Sequence, residues 1–171
     1  KTLIAEIAAL KTVREGKKVV YIVPLRALAQ EKYQDFKRKY QPLGVKVALS
    51  IGDMDSSDSW LADYDVIIAT SEKLDSLLRH GIHWARSIGL VVADEIHLLH
   101  DPGRGPTLEM VLTRLRDYGP VILGLSATIK NYEELASWLG VPSVHSDYRP
   151  VLLYRGVCFE NEVSFIPKRT Y

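Results

Sequence analysis

Four stretches of this chain are apolar almost without interruption: Val19 to Val23, Val66 to Ala69, Leu90 to Ala93 and Val121 to Leu125. A strand that alternates apolar and polar residues can leave one face in water, but a strand apolar at every position must be covered on both. With a shorter strand read at Val45 to Leu49, such runs recur about every 20–30 residues, and segments of helical spacing lie between most of them. Right-handed helical crossovers fit these connections. The pattern predicts a doubly wound α/β domain, with a mainly parallel sheet and helices on both faces.

The helices can be placed from their own periodicity. Leu3, Ile4, Ile7, Leu10 and Val13 mark a first helix, which Gly16 stops. Pro24 ends the next strand, and a helix runs from about Ala27 to Tyr40. Asp53 to Ser59 reads as a polar loop, Asp65 to Thr70 as a strand and Glu72 to Arg79 as a helix. The loop Pro102 to Pro106 opens a helix carrying Leu108, Val111, Leu112 and Leu115, and Asn131 caps a short helix that Gly140 closes after Leu139. From Tyr148 the pattern changes. Val151 to Val157 reads as an alternating strand with no returning helix, so residues 1–147 are expected to form the domain and 148–171 an exit strand and linker.

The 171 residues, 47% of them hydrophobic, suffice for one such domain and leave no room for a second complete one. With 22 basic and 21 acidic residues there is no global field to attract a polyanion, so any nucleic-acid contact must be local. The lone Cys158 excludes an internal disulfide framework and is compatible with a reducing cytoplasm. No apolar run approaches the ~18 residues of a membrane span, and no signal-peptide core follows the basic start. A soluble, intracellular protein is expected. Both ends look cut, at Lys1-Thr2 and at Lys168-Arg169-Thr170-Tyr171, as in a piece of something larger.

Gly89 to Ala93 leads directly into Asp94-Glu95-Ile96-His97, placing two carboxylates beyond the end of a buried strand. Open α/β sheets bind ligands beyond the carboxyl ends of their strands. Phosphoryl transfer needs a magnesium ligand, which suits Asp94, and a group to position a water, which suits Glu95. Alone, the tetrapeptide could equally be an acidic turn. Lys1-Thr2 at a helix start is what would remain of G-x-x-x-x-G-K-[ST] without its glycines, although alone it is only a chain end. Together the two pairs suggest the halves of a nucleotide site.

Other strands end in Pro24-Leu25-Arg26-Ala27, Thr70-Ser71-Glu72-Lys73 and Ser126-Ala127-Thr128. Taken singly these are helix caps, and Thr70 or Ser71 would serve as one. His80 with His83, and His97 with His100, have spacings a metal could use, but no cysteine or carboxylate set completes a tetrahedron. Lys32, Lys37, Arg38 and Lys39 read as a solvated helix face, and Trp60, Trp84 and Trp138 as packing residues.

The ordered set PLRALA (Pro24 to Ala29), ATSEK (Ala69 to Lys73), DEIH (Asp94 to His97), RGPTLE (Arg104 to Glu109) and LSATI (Leu125 to Ile129) resembles the first RecA-like domain of superfamily two helicases. Within these it falls nearest to the Ski-type branch and the archaeal DNA-repair helicases of the Hjm class. The resemblance covers essentially the whole chain and implies a RecA-like P-loop NTPase domain that uses ATP and magnesium. It makes Lys1 and Thr2 the end of the phosphate loop, Thr2 and Asp94 the magnesium ligands, and Glu95 the catalytic base or water-orienting group. His97, Ser126 and Thr128 would couple hydrolysis to nucleic acid. Pro24, Leu25, Arg26, Ala27, Thr70, Ser71, Glu72, Lys73, Arg104 and Gly105 would hold the backbone of a tracking strand.

The implied partners are single-stranded or forked DNA, a second RecA-like domain of the same protein and replication or repair proteins, with no membrane. The implied location is cytoplasmic, and nucleoid-associated in an archaeon. By the same resemblance the whole protein unwinds DNA 3′ to 5′. This chain alone lacks the second domain and its arginine finger, and is expected to be inactive. Two alternatives stay open: an RNA helicase of the same branch, and a RecA-like module that binds nucleic acid or a partner without turnover. A transporter-type ATPase fits less well, since no LSGGQ-like stretch occurs.

Overall fold

A computed structural model of the protein describes residues 1–52, 58–127, 131–146, 151, 154, 156–160 and 162–165. By contacts the chain divides into two compact units, Lys1–Val141 and Pro142–Tyr171.

The first unit holds α1 (Thr2–Arg14), β1 (Lys18–Val23), α2 (Arg26–Tyr40), β2 (Val47–Ser50), β3 (Val66–Thr70), α3 (Ser71–Arg79), β4 (Ile88–Ala93), α4 (Gly105–Arg116), β5 (Val121–Gly124) and α5 (Tyr132–Leu139). The five strands form one parallel sheet in the order β2-β3-β1-β4-β5, as the apolar runs predict. Because side chains alternate along each strand, the sheet has two apolar faces. Val20, Ile22, Ile67, Val91 and Ala93 pack with Leu74 and Leu77 of α3, Val111, Leu112 and Leu115 of α4, and Leu139 of α5. Val19, Tyr21, Val23, Ile68 and Val92 pack with Ala5 and Ala9 of α1 and with Ala29 and Phe36 of α2.

Helix α1 forms where its periodicity places it, but it does not rest on its large residues. Ala5, Glu6 and Ala9 are buried, whereas Leu3, Ile4 and Ile7 are each at least 60% exposed. Two alanines let the helix lie close to the sheet, and its apolar crest faces outward. Glu6 is buried with partners, accepting hydrogen bonds from Tyr40 Oη and, at 3.1 Å, from Lys39 Nζ. On the opposite face Asp75 joins α3 to α4 through Arg114 at 2.9 Å, and it also pairs with Arg79 at 3.0 Å.

Asn131 stands at the N-cap of α5, but its side chain caps no backbone amide. It donates to Glu134 at 3.1 Å and lies 3.0 Å from His100 Nε2. Gly140 closes the helix at φ +69°, a conformation open to glycine. Trp84 is buried in the core, while Trp60 is 45% exposed and stacks edge-on with Tyr64. Most of the loop expected at Asp53 to Ser59 lies outside the described residues.

In the second unit, among the described residues, β6 (Gly156–Phe159) pairs antiparallel with β7 (Glu162–Phe165) as a hairpin, and part of the strand expected over Val151 to Val157 lies outside the described residues. Glu160 turns at φ +53°. In sequence, Val157 with Phe159, and Val163 with Phe165, are two alternating apolar pairs with three residues between them, which is hairpin spacing. Among the described residues, no helix is long and apolar enough to cross a membrane.

Candidate nucleotide and nucleic-acid site

In a parallel sheet all strands end on the same side, so the ends of β1, β3, β4 and β5 meet at one edge. There the backbone weaves the acidic pair into place. Asp94 N–H donates to Ile22 O, Leu125 N–H to Ala93 O and Ile96 N–H to Leu125 O, each at 2.9 Å. Glu95 then turns left-handed, at φ +51° and ψ +45°, before a 3-10 turn over Ile96–His100. A glutamate in that region is strained, and such strain is characteristic of functional sites.

Beside the pair opens a cleft of about 650 Å³, within the range of small-molecule sites. Its lining includes Lys1, Thr2, Pro24, Leu28, Glu31, Lys32, Asp94 and Glu95. The fold thus brings the first residues of α1 to the same cavity as the acidic pair, 92 positions later in sequence (Thr2 to Asp94). The donors are a hydroxyl and two carboxylates, hard oxygen ligands of the kind magnesium takes, and the Lys1 ammonium suits phosphate. Among the described residues no three histidine, cysteine or acidic groups converge as a closed cage. Magnesium in nucleotide sites characteristically uses one or two carboxylates plus the substrate's phosphates, so the residues present fit it.

His97 Nδ1 lies 3.3 Å from Glu95 Oε2 and 3.3 Å from Ser126 Oγ, so the imidazole stands between the acidic pair and the end of β5. Thr128, expected beside them, lies outside the described residues.

The residues expected along a strand divide by exposure. Leu25, Arg26, Ala27 and Arg104 are exposed and Pro24 half-buried. Leu25 has no side-chain acceptor, so no side chain caps the first turn of α2, whose amides suit a phosphate. Thr70, Ser71 and Lys73 are buried. Thr70 Oγ1 caps α3 by accepting Lys73 N–H at 3.4 Å, which is the structural role weighed for it. Lys73 Nζ pairs with Asp58 at 3.0 Å, and Asp58 also accepts from Ser50 Oγ at 3.1 Å. Glu72 is half-buried, and Gly105 is buried against Leu99 O.

Sequence reasoning missed three residues here. Asp101 Oδ1 accepts the amides of Gly103 and Arg104, both at 2.9 Å, and so shapes the loop that presents Arg104. Asp58 holds Lys73. Tyr21 Oη donates to Asp94 Oδ2 at 3.1 Å. Burial first, then the charge of Asp94 and the hydrogen bond to it, push the Tyr21 phenol far above its usual range and keep it a donor. A same-face tyrosine two positions short of an acidic strand end on the neighbouring strand is a readable signal once the pairing of β1 and β4 is known.

A five-stranded parallel α/β sheet with an acidic pair, a lysine and a threonine at one carboxyl-end cleft defines a RecA-like, nucleotide-binding class of domain. A DEAD/DEAH box helicase family model matches residues 1–135, and the chain belongs to that family. It is 54% identical to the ATP-dependent DNA helicase Hel308 of Pyrococcus horikoshii, over 95% of this chain and 23% of that protein. It is 49% identical to the protein of the same name from Methanococcus vannielii, over 97% and 23%, and 48% identical to that of Methanocaldococcus jannaschii, over 97% and 14%. The archaeal DNA helicases picked out by the motifs are thus its relatives. The chain spans less than a quarter of the length of these proteins.

Proposed function

We propose that this chain is the first motor domain of a longer ATP-dependent DNA helicase, one that moves 3′ to 5′ and acts in repair or replication-fork processing. The observation that carries the reading is the shared cleft of Lys1, Thr2, Asp94 and Glu95. In it the Lys1 ammonium and the α1 N-terminus hold the β and γ phosphates. Thr2 and Asp94 would hold magnesium, which would supply charge neutralisation for phosphoryl transfer. Glu95 accepts a proton from the water that attacks the γ-phosphorus as the bond to the β-phosphate oxygen breaks.

His97 and Ser126, with Thr128, relay the state of that site to the strand side. The amides and side chains of Pro24, Leu25, Arg26 and Ala27, with Arg104, hold a DNA backbone without reading sequence. Thr70, Ser71, Glu72, Lys73 and Gly105 serve the same surface by shaping its loops. The exposed crest of Leu3, Ile4 and Ile7 suits burial by the rest of a longer chain. A second RecA-like domain would supply an arginine finger, and without it the isolated chain does not turn over ATP. Replication or repair proteins are the proposed partners, and the site of action is intracellular.

Steady-state ATP hydrolysis by the whole protein tests this, with magnesium and with no nucleic acid, single-stranded DNA or single-stranded RNA at matched salt. Stimulation chiefly by DNA is expected. Preference for RNA would move the protein to the RNA side of its branch, and no turnover in any condition would leave a binding module.

A further inference from the structure

Tyr21 occupies the middle of β1 and is fully closed to solvent. Its register partner on β4 is Val92, so Asp94, two positions further on, stands on the same face, and the phenol spans that step. Its hydroxyl donates to Asp94 Oδ2 at 3.1 Å while Oδ1 accepts Glu95 N–H at the same distance, so each carboxylate oxygen is gripped by one donor. The sheet needs only a ring at this position. A buried hydroxyl is costly unless it is bonded, and this one is spent on the carboxylate at the cleft. The ring in turn is held by α2: Phe36 meets it edge-on at 5.5 Å, and Lys32 Nζ lies 5.4 Å from its centroid. Lys32 also lines the cleft with Asp94 and Glu95. Helix α2 begins at Arg26, inside the segment read as holding the DNA backbone.

We propose that Tyr21 is a positioning residue: its hydroxyl fixes the rotamer of Asp94, and its ring ties that rotamer to α2, linking the DNA-facing helix to the magnesium carboxylate. This rests on the nucleotide-site reading above. Tyr21→Phe keeps the ring and the Phe36 contact and removes only the hydroxyl. In the whole protein, affinity for a fluorescent ATP analogue is measured with magnesium and with EDTA, alongside thermal unfolding and the stimulation of hydrolysis by single-stranded DNA.

The expected result is an unchanged affinity in EDTA and an unfolding temperature close to wild type. The tightening by magnesium falls about 10-fold, as for loss of a hydrogen bond to a charged group, and DNA stimulation falls with it. Wild-type tightening in Tyr21→Phe would overturn the proposal, as would an equal loss with and without magnesium, which marks a merely structural role. Asp94→Ala separates the two levels. If it leaves the tightening intact, the nucleotide-site reading fails; if it abolishes it while Tyr21→Phe behaves as wild type, only the role of Tyr21 fails.

Discussion

Lys73 carries its charge into a site 2% exposed, where a cation persists only with a partner, and Asp58 provides one at 3.0 Å. Lys73→Ala should therefore destabilise the protein by about 3 kcal/mol or more. A double-mutant cycle with Asp58→Ala should show a coupling of about 1–3 kcal/mol in denaturant unfolding, and zero coupling would mean that the pair does not hold the loop. Glu95 makes the opposite prediction, since its carboxylate is proposed to act on water rather than to support the fold. Glu95→Gln should lower kcat by roughly 10²–10⁴ while Mg-ATP affinity, measured by titration, stays within a few-fold. At this scale the acidic pair was legible because a wholly apolar strand announces where its end lies. Tyr21 and Asp58 were not, because their partners are set by strand register and loop packing, which no local spacing encodes.

Helices and strands were legible wherever burial imposed a period, and boundaries shifted by a residue or two. What periodicity could not tell was which face of α1 goes inward: Leu3, Ile4 and Ile7 have the stronger apolar signal, yet close approach to the sheet selects Ala5 and Ala9. Helix α4 depends on a similar closeness. A β-carbon on Gly105 would stand 2.3 Å from Leu99 O, in the turn that carries His97. Gly105→Ala should cost about 1–3 kcal/mol, read as a lower unfolding temperature, and an unchanged temperature would show that the turn yields freely. The clamp between α1 and α2 responds to pH. Burial first, then the hydrogen bond to Glu6, pushes the Tyr40 phenol up to about 12 from its ordinary 10.0. A folded-state value above the unfolded one means that this contribution is fully present below pH 10 and is lost as pH rises toward 12. Tyr21 titrates upward in the same direction, so Tyr40→Phe should flatten only part of the alkaline loss in a stability-versus-pH series.

The whole first unit follows from its buried strands: the path from β3 to β4 passes over β1, which sets Asp94 beside the end of β1 and opposite the first residues of α1. That architecture was readable because the central strands β1, β3 and β4 are apolar on both faces, whereas the terminal hairpin, exposed along its length, imposed no such pattern. The site's two halves were paired from sequence by their residue types and by resemblance, since nothing local connects Thr2 to Asp94. One measurement bears on that pairing most directly, a crystal structure of the whole protein with magnesium and a non-hydrolysable ATP analogue. A nucleotide site at this edge requires the β and γ phosphates between Lys1-Thr2 and Asp94-Glu95, with magnesium on the Thr2 and Asp94 side and Tyr21 still on Asp94. Phosphates bound elsewhere, or a cleft without nucleotide at saturating concentration, would contradict it.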